Sequence, residues 1–206
     1  MNFNEAIRRP FKDLKILIIG IIIMMIPIVN ILGFGYVMRA SKLSIRRNYK
    51  MPEWREWTDL FVKGITAVII ALIYLIPTFL VVMISLGSSF LATGLTQSWI
   101  GILTLTSSLG IAMLISMVVL LVTLYVLPIA LITYIDRESF SEAFKLNSII
   151  NKAFQAEYFT VWLVGIVYQI VLTAILSFIP VIGFGIATFI TTITFFTLIS
   201  EVYPRL

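Results

Sequence analysis

The sequence predicts an all-α, polytopic membrane protein with four full spans, an N-terminal hydrophobic hairpin that is re-entrant or kinked, and two interfacial amphipathic segments. Hydrophobic residues make up 60% of the 206 residues and charged residues 12%, whereas soluble domains carry about 45–50% and about 25%. The apolar residues form runs long enough to cross a hydrocarbon core of about 30 Å. The charges lie between the runs, and the length suits a single integral membrane domain over residues 1–206.

The first apolar run, Ile16–Met38, contains its own interruption. Pro27 disrupts helical hydrogen bonding, and Asn30, Gly33 and Gly35 permit a reversed backbone. These residues predict a re-entrant hairpin around Pro27–Gly35. One alternative is an ordinary kinked span with the N-terminus outside. The other is a signal peptide, which is disfavoured because no small-x-small cleavage site follows the run.

Four further runs are predicted to cross the membrane fully, and none of them contains an ionisable Asp, Glu, Lys, Arg or His residue. The third run of the chain is longer than one upright span needs, so it must tilt, kink or project from the bilayer. The four runs are Gly64–Leu86, Ile100–Tyr134, Phe159–Ile179 and Ile186–Ser200.

Prolines and glycines are predicted to break or turn the chain within and between these runs. A proline removes one helical hydrogen bond and clashes with the preceding turn. Pro77 and Pro128 therefore predict breaks inside the second and third runs, and Pro180, Gly183 and Gly185 predict a tight turn before the fifth.

The polar segment before the second run has the features of an interfacial helix. Pro52 in a first turn, followed by Glu53 at the positive end of the helix dipole, favours a helix start. Trp54 and Trp57 are typical of the membrane–water interface. We therefore predict an interfacial helix over residues 52–63 that leads into the second span.

A second amphipathic helix is predicted over residues 140–154. Ser139 and Glu142 have the spacing of a capping box, and mostly apolar residues then recur every three or four positions. The helix lies either on the membrane surface or against neighbouring helices. The recurring residues are Phe140, Ala143, Phe144, Asn147, Ile150 and Phe154.

The distribution of the 15 Lys and Arg residues predicts the topology. They lie before the first run, in residues 39–63, in residues 135–158 and at the C-terminus. Basic residues concentrate in cytoplasmic loops, so all four regions are predicted to be cytoplasmic in the cell membrane. A full crossing by the first run would separate the first two groups, whereas a re-entrant hairpin keeps every Lys and Arg on one side.

The basic loop is expected to contact the lipid bilayer. Anionic headgroups attract each nearby Lys or Arg by roughly 1 kcal/mol, although plain topogenic charge, which needs no specific lipid, is the favoured explanation of the loop. Nucleic acid is not an expected partner, because no nucleic-acid-reading motif accompanies the charges. The residues expected at the membrane interface are Arg39, Arg46, Arg47, Trp54 and Trp57.

Two stripes of small residues are predicted to pack helices together. Ser108, Ala112 and Ser116 repeat every four residues in the third run, and Gly183 and Ala187, with Thr191, do so in the fifth. Small residues let helix backbones approach closely in membranes. Packing within one subunit is the favoured use, and a homo-oligomer or another membrane protein is the alternative partner.

One set of short motifs is spread along nearly the whole chain. Its members are Gly35-Tyr36, Arg39, Met51-Pro-Glu-Trp-Arg-Glu-Trp57, Phe61, Gly64, Leu127-Pro128, Glu142-Ala-Phe144, Ile179-Pro180 and Gly183. With these motifs the chain resembles the domain of unknown function 4013 family of prokaryotic, largely archaeal, polytopic membrane proteins. The resemblance implies membrane localisation and no established activity, so it assigns no functional residue.

The composition excludes several kinds of chemistry. The chain has neither Cys nor His, which removes most zinc sites, haem ligation and His-dependent triads. The uncharged spans disfavour proton-coupled transport, and the G-x-S-x-G, H-E-x-x-H and P-loop motifs are missing. No catalytic residue, metal or cofactor is expected.

We therefore predict a non-enzymatic scaffold, assembly or membrane-organising module. The alternative is a transporter or channel for an uncharged or lipidic substrate, with proline-broken helices lining a midplane site. A third hypothesis is an enzyme acting on lipid headgroups, with acidic residues holding a hard cation. Charge balance against nearby basic residues explains those acids more simply. They are Glu53, Glu56, Asp59, Asp136, Glu138 and Glu142.

Overall fold

The computed structural model describes residues 3–95, 99–180 and 182–206, with the side chains of residues 89–95, 99–106 and 108 outside that description. The described residues form helices joined by turns and short loops, with 3₁₀ turns at Arg9–Phe11, Phe140–Phe144 and Tyr203–Arg205. The α-helices are α1 Phe3–Arg8, α2 Leu14–Met25, α3 Asn30–Ile45, α4 Trp57–Leu95, α5 Trp99–Arg137, α6 Leu146–Ala153, α7 Ala156–Leu176 and α8 Ile182–Val202.

Four of the described helices are long and apolar enough to cross a membrane, which confirms a polytopic helical membrane protein. Each overlaps one of the four runs predicted to be a span. The apolar helix α2 is shorter, at 12 residues. The candidate spans are Trp57–Ser88, Leu109–Arg137, Ala156–Leu176 and Ile182–Arg205.

The chain divides into two compact units. The first contains residues 1–70 and 128–206, and it carries every Lys and Arg of the sequence. The second contains residues 71–127, where α4 and α5 carry no charged residue. Within the second unit, the Thr123 hydroxyl donates a hydrogen bond to the Tyr74 carbonyl over 3.4 Å.

The first apolar run folds into two helices, α2 and α3, joined by a tight turn. Asp13 caps α2 by accepting a hydrogen bond from the Ile16 amide over 3.1 Å. The chain leaves the helix at Ile26, and Ile28 adopts a left-handed φ of 72°. The reversal was predicted to depend on Gly33 and Gly35, and that was wrong, because both glycines are helical residues of α3.

These two glycines instead permit close packing. A Cβ at Gly33 would lie 2.8 Å from the Met24 side chain. A Cβ at Gly35 would lie 1.8 Å from the Leu60 carbonyl oxygen, and one at Gly64 would lie 1.9 Å from the Ile31 carbonyl oxygen. The backbones of α3 and α4 therefore touch where they cross, and only glycine fits at either position.

Helix α8 forms the core of the first unit and contacts α2, α3 and α7. Near its beginning, Gly185 packs on Met25 at the end of α2. Phe189 lies against Gly20 of α2 and against Tyr36 of α3. The order of these contacts makes α2 antiparallel to α8, so the hairpin tip and the beginning of α8 lie at the same end of the unit.

The structure also corrects the other predicted breaks. Pro77 and Pro128 lie inside the continuous helices α4 and α5. Pro180 does lie in the turn between α7 and α8, whereas Gly183 and Gly185 belong to the first turn of α8. A Cβ at Gly183 would lie 2.0 Å from the Leu176 carbonyl oxygen, so this glycine serves a close approach.

Both predicted interfacial helices differ from expectation. Helix α4 begins at Trp57, and residues 48–56 before it are not helical, so neither Pro52 nor Glu53 starts a helix. Residues 140–154 form a 3₁₀ turn followed by α6, and Ser139 makes no side-chain cap. The S-x-x-E spacing favours a cap by the Ser139 side chain. Instead, the Glu142 amide donates a backbone hydrogen bond to the Ser139 carbonyl.

Candidate functional site

The motif residues of α3 meet the loop before α4 in one cluster. The Tyr36 ring stacks on Trp54 with centroids 4.0 Å apart, and its hydroxyl donates to the Pro52 carbonyl over 2.7 Å. The Trp54 indole N–H donates to the Ile16 carbonyl over 3.2 Å. The cluster fixes the loop to both helices of the hairpin.

Arg39 is held by the protein. Its guanidinium donates to the Arg55 carbonyl over 2.8 Å and forms ion pairs with Glu56 at 2.7 Å and Asp59 at 2.6 Å. Lys63 reaches Asp59 as well, over 2.7 Å. The Arg39 side chain is 16% exposed, so this residue, predicted to face the interface, mainly connects α3 to the start of α4.

A shallow basic groove of about 280 Å³ opens beside this connection, and we call it the α3 groove. It is lined by Arg39, Lys42, Leu43, Arg46, Pro52 and Glu56. Lys42 forms an ion pair with Glu138. Arg46 is exposed, and its guanidinium makes no hydrogen bond or ion pair with another described residue, so the five guanidinium donors are available to a ligand.

The six acids considered for cation binding are all paired with basic residues. Glu53 pairs with Arg55, Asp136 with Arg137, and Glu142 with Lys145. The other three pair with Arg39, Lys42 or Lys63, as described above. No group of three or more metal-ligating side chains occurs among the described residues. The arrangement therefore balances charge at the polar end of the first unit.

A fully buried arginine is the feature that sequence reasoning missed. Arg9 has no exposed surface, while its neighbour Arg8 is exposed. Its guanidinium donates to Thr197 Oγ1 over 2.8 Å, to the Ala40 carbonyl over 2.9 Å and to the Lys50 carbonyl over 3.2 Å. It also donates to the Ser44 hydroxyl. We call this set the Arg9 clamp.

The Arg9 clamp joins both ends of the hairpin to the C-terminal end of α8. Arg9 precedes α2, Ser44 ends α3, and Thr197 lies in the last turns of α8. Burial lowers the pKa of Arg9 to about 10, so the guanidinium is still charged at neutral pH. The sequence offers four similar basic residues before the first apolar run, and nothing in their pattern distinguishes the buried one.

The remaining predicted residues have different surroundings. Arg47 and Trp57 are exposed, and the Trp54 and Trp57 rings stack with centroids 5.9 Å apart. Gly183, Ala187 and Thr191 are buried inside the first unit. Ala112 and Ser116 are half-buried on α5, and the side chain of Ser108 lies outside the described part of the chain.

A polar stripe lies within the span α7. Gln169, Thr173 and Ser177 line one side of an open cavity of about 530 Å³ whose other lining residues are apolar. Thr173 and Ser177 also border a second cavity of about 230 Å³ beside the beginning of α8. The Gln169 carboxamide makes no hydrogen bond with another described residue.

Comparison with known proteins identifies the family. No curated protein and no solved structure matches the chain. Residues 18–181 match the family described as a protein of unknown function (DUF4013), and this range includes most of the α2–α3 hairpin, the stacked rings of Tyr36 and Trp54, and the α3 groove. Because the match covers most of the 206 residues, the chain belongs to this family.

Proposed function

We propose that this protein is a non-enzymatic, membrane-organising module that binds anionic lipid headgroups at its basic end. The observation that carries the proposal is the α3 groove, where three basic side chains converge and Arg46 has no protein partner. The groove lies beside the beginning of the span Trp57–Ser88. Phosphate groups suit guanidinium donors, which bind two oxygens at once.

The proposal includes a re-entrant hairpin that enters the membrane from the cytoplasmic side. Support comes from the Arg9 clamp, because Arg9, before the hairpin, donates both to Ser44 at the end of α3 and to Thr197 near the end of α8. The tip at Ile26 and Ile28 is exposed and apolar, as a lipid-facing turn requires. The turn is short, so few backbone N–H and C=O groups are left without a hydrogen bond in hydrocarbon.

The positive charges favour the cytoplasm for this end. Lys42 of α3 reaches Glu138 after α5, and Lys152 lies over the Tyr203 ring at 4.3 Å from its centroid. The groups predicted to be cytoplasmic are thereby in contact with one another, in keeping with the positive-inside rule.

Helix α6 supports contact with the membrane surface. Ile149 and Ala153 pack inward, while Leu146, Ile150 and Phe154 are exposed at four-residue spacing. An exposed apolar stripe beside the start of a span is suited to the interface between headgroups and acyl chains.

Lipid binding tests the proposal. Purified protein would be titrated with a fluorescent phosphatidylglycerol and, separately, with phosphatidylcholine, and binding followed by energy transfer from tryptophan. Arg46→Gln should weaken phosphatidylglycerol binding about fivefold, as expected from about 1 kcal/mol per basic residue near the membrane surface. Phosphatidylcholine binding should not change.

Arg205→Gln is the matched control, because it removes an equal charge from an exposed residue outside the groove. Equal weakening by Arg46→Gln and Arg205→Gln would contradict the proposal, since it would assign the effect to net charge. Equal affinity for the two lipids in the unaltered protein would contradict it as well.

Transport of an uncharged or lipidic substrate is the second candidate function. The observation that favours it is the cavity along α7, where three polar side chains lie within an apolar lining. The continuous helices through Pro77 and Pro128 do not provide the broken helices typical of transporters. Lipid scrambling or solute flux in protein-containing liposomes would support transport, and rates equal to those of empty liposomes would exclude it.

A further inference from the structure

The α3 groove carries charges of both signs at separate places. Its basic side chains, Arg39, Lys42 and Arg46, follow one face of α3 at intervals of three and four residues. Its one acidic side chain, Glu56, comes from the loop before α4 and is bound to Arg39. Arg46 lies about 10 Å further along the helix axis than Arg39, at 1.5 Å per residue. The carboxylate therefore lies near one end of the groove and the unpaired guanidinium near the other.

Glu56 is fixed in position and still has an acceptor oxygen to offer. Its Oε2 accepts from Arg39 over 2.7 Å, whereas Oε1 makes no hydrogen bond with another described residue. The residue has a left-handed φ of 57°, a conformation that a side chain adopts only when its surroundings hold it there. The side chain is 75% exposed, so a donor on an incoming ligand can reach Oε1.

The pairing with Arg39 leaves Glu56 able to bind a second cation. Arg39 is shared between Glu56 and Asp59, so its single positive charge does not neutralise both carboxylates. A carboxylate has about four acceptor sites. At the other side of the groove, Lys42 is paired with Glu138, but an ammonium group has three donors, and two of them remain for a ligand beside Arg46.

The ligand that complements this arrangement has a phosphate group and a primary ammonium group. Phosphate oxygens suit Arg46, because a guanidinium binds two oxygens at once, and an ammonium group donates to a carboxylate. Phospholipids of ethanolamine and serine carry both groups on one headgroup. Phosphatidylglycerol has no ammonium group, and the quaternary nitrogen of phosphatidylcholine has no N–H donor.

We infer that the α3 groove selects amino-phospholipids, with the phosphate bound by Arg46 and Lys42 and the primary ammonium donating to Glu56. The inference rests on the proposed function, because it specifies which headgroup the same groove prefers. The groove lies beside the beginning of the span Trp57–Ser88, and the ends of spans lie at headgroup depth. The occupant is therefore a membrane lipid and not a soluble phosphate ester.

Phosphatidylethanolamine and phosphatidylcholine test the ammonium contact, because their headgroups differ only in the methyl groups on nitrogen. Fluorescent forms would be titrated into purified protein, and binding followed by energy transfer from tryptophan. The unaltered protein should bind phosphatidylethanolamine about two- to fivefold more tightly, as expected of an exposed ion pair. Equal affinity for these two lipids would overturn the inference, while tighter binding of phosphatidylglycerol than of phosphatidylcholine in the same assay would leave the proposed function standing.

Substitution of Glu56 assigns the contact. Glu56→Gln should abolish the preference for phosphatidylethanolamine over phosphatidylcholine, because the ammonium loses its charged acceptor. The same variant should bind phosphatidylglycerol at least as tightly as the unaltered protein, since a negative charge has left an intact groove. Glu53→Gln is the matched control, because Glu53 is exposed, pairs with Arg55 and does not line the groove. Equal loss of the preference in both variants, or its persistence in Glu56→Gln, would overturn the inference.

Discussion

The burial of Arg9 beside the exposed Arg8 provides a matched pair of residues for measuring the Arg9 clamp. Arg9→Met should lower the unfolding free energy in detergent by roughly 2–4 kcal/mol, because buried oxygens of Ser44, Thr197, Ala40 and Lys50 lose their charged donor. Arg8→Met should change it by less than about 0.5 kcal/mol, as surface substitutions do. Equal effects in thermal unfolding would contradict a clamp.

The contact between α3 and α4 depends on glycine at the residue scale. Gly35→Ala should destabilise the protein by at least about 2 kcal/mol, because the new Cβ meets backbone that cannot rotate away. Gly110→Ala is the matched control, since nothing lies within 4 Å of its Cβ position. It should be neutral or stabilising by up to about 1 kcal/mol through helix propensity.

Thermal unfolding of both glycine variants in the same detergent measures this difference. A Gly35→Ala protein as stable as Gly110→Ala would show that α3 and α4 do not touch along their backbones.

At the scale of elements, the turn between α2 and α3 contains a strained residue. Ile28 is β-branched and has a φ of 72°, a conformation that costs an L-residue roughly 1–2 kcal/mol. Ile28→Gly should therefore stabilise the protein by up to about 1 kcal/mol once the entropy of glycine is subtracted. Val29, with a φ of −66°, is the control, and Val29→Gly should destabilise it.

Chemical denaturation of the two turn variants would measure the effect. Destabilisation by Ile28→Gly equal to that by Val29→Gly would show that the turn has no left-handed residue at position 28.

The sequence was sufficient for the spanning helices and insufficient for the interfacial segments and for the contacts between helices. Long uncharged runs predict spans because hydrocarbon excludes charge, and each of the four runs overlaps one candidate span. Gly33, Gly35, Gly183 and Gly185 were assigned to turns because glycine permits a reversed backbone, but all four are helical. Glycine also permits close approach, and the partner in such a contact is distant in the sequence.

Predictions for the polar residues had the same limit, because the partners of these residues are distant in the sequence. Trp54 and the acids could be placed near the membrane interface by composition, but pairs such as Lys42 with Glu138 join residues far apart in the chain. Burial of Arg9 depends on Thr197, at the other end of the sequence. Residue type predicts which side chains can form ion pairs or bind a charged ligand. Tertiary packing decides which of these side chains already have a partner within the protein.

At the scale of the whole molecule, the two units differ in charge. All Lys and Arg residues belong to the first unit, while residues 71–127 carry no charge. This distribution favours water around the charged loops of the first unit and lipid around the uncharged helical residues 71–127. The hairpin matters for the topology because the Arg9 clamp holds both of its ends together at the charged end of the first unit.

Accessibility of single cysteines from the two sides of the membrane tests the re-entrant hairpin most directly. Exposed positions suited to labelling are Asn4, Asn48, Asn147 and Phe178. We predict that a membrane-impermeant thiol reagent labels Asn4→Cys, Asn48→Cys and Asn147→Cys only from the cytoplasmic side and Phe178→Cys only from outside. Labelling of Asn4→Cys from the side opposite Asn48→Cys would contradict the account, because the first apolar run would then cross the membrane fully.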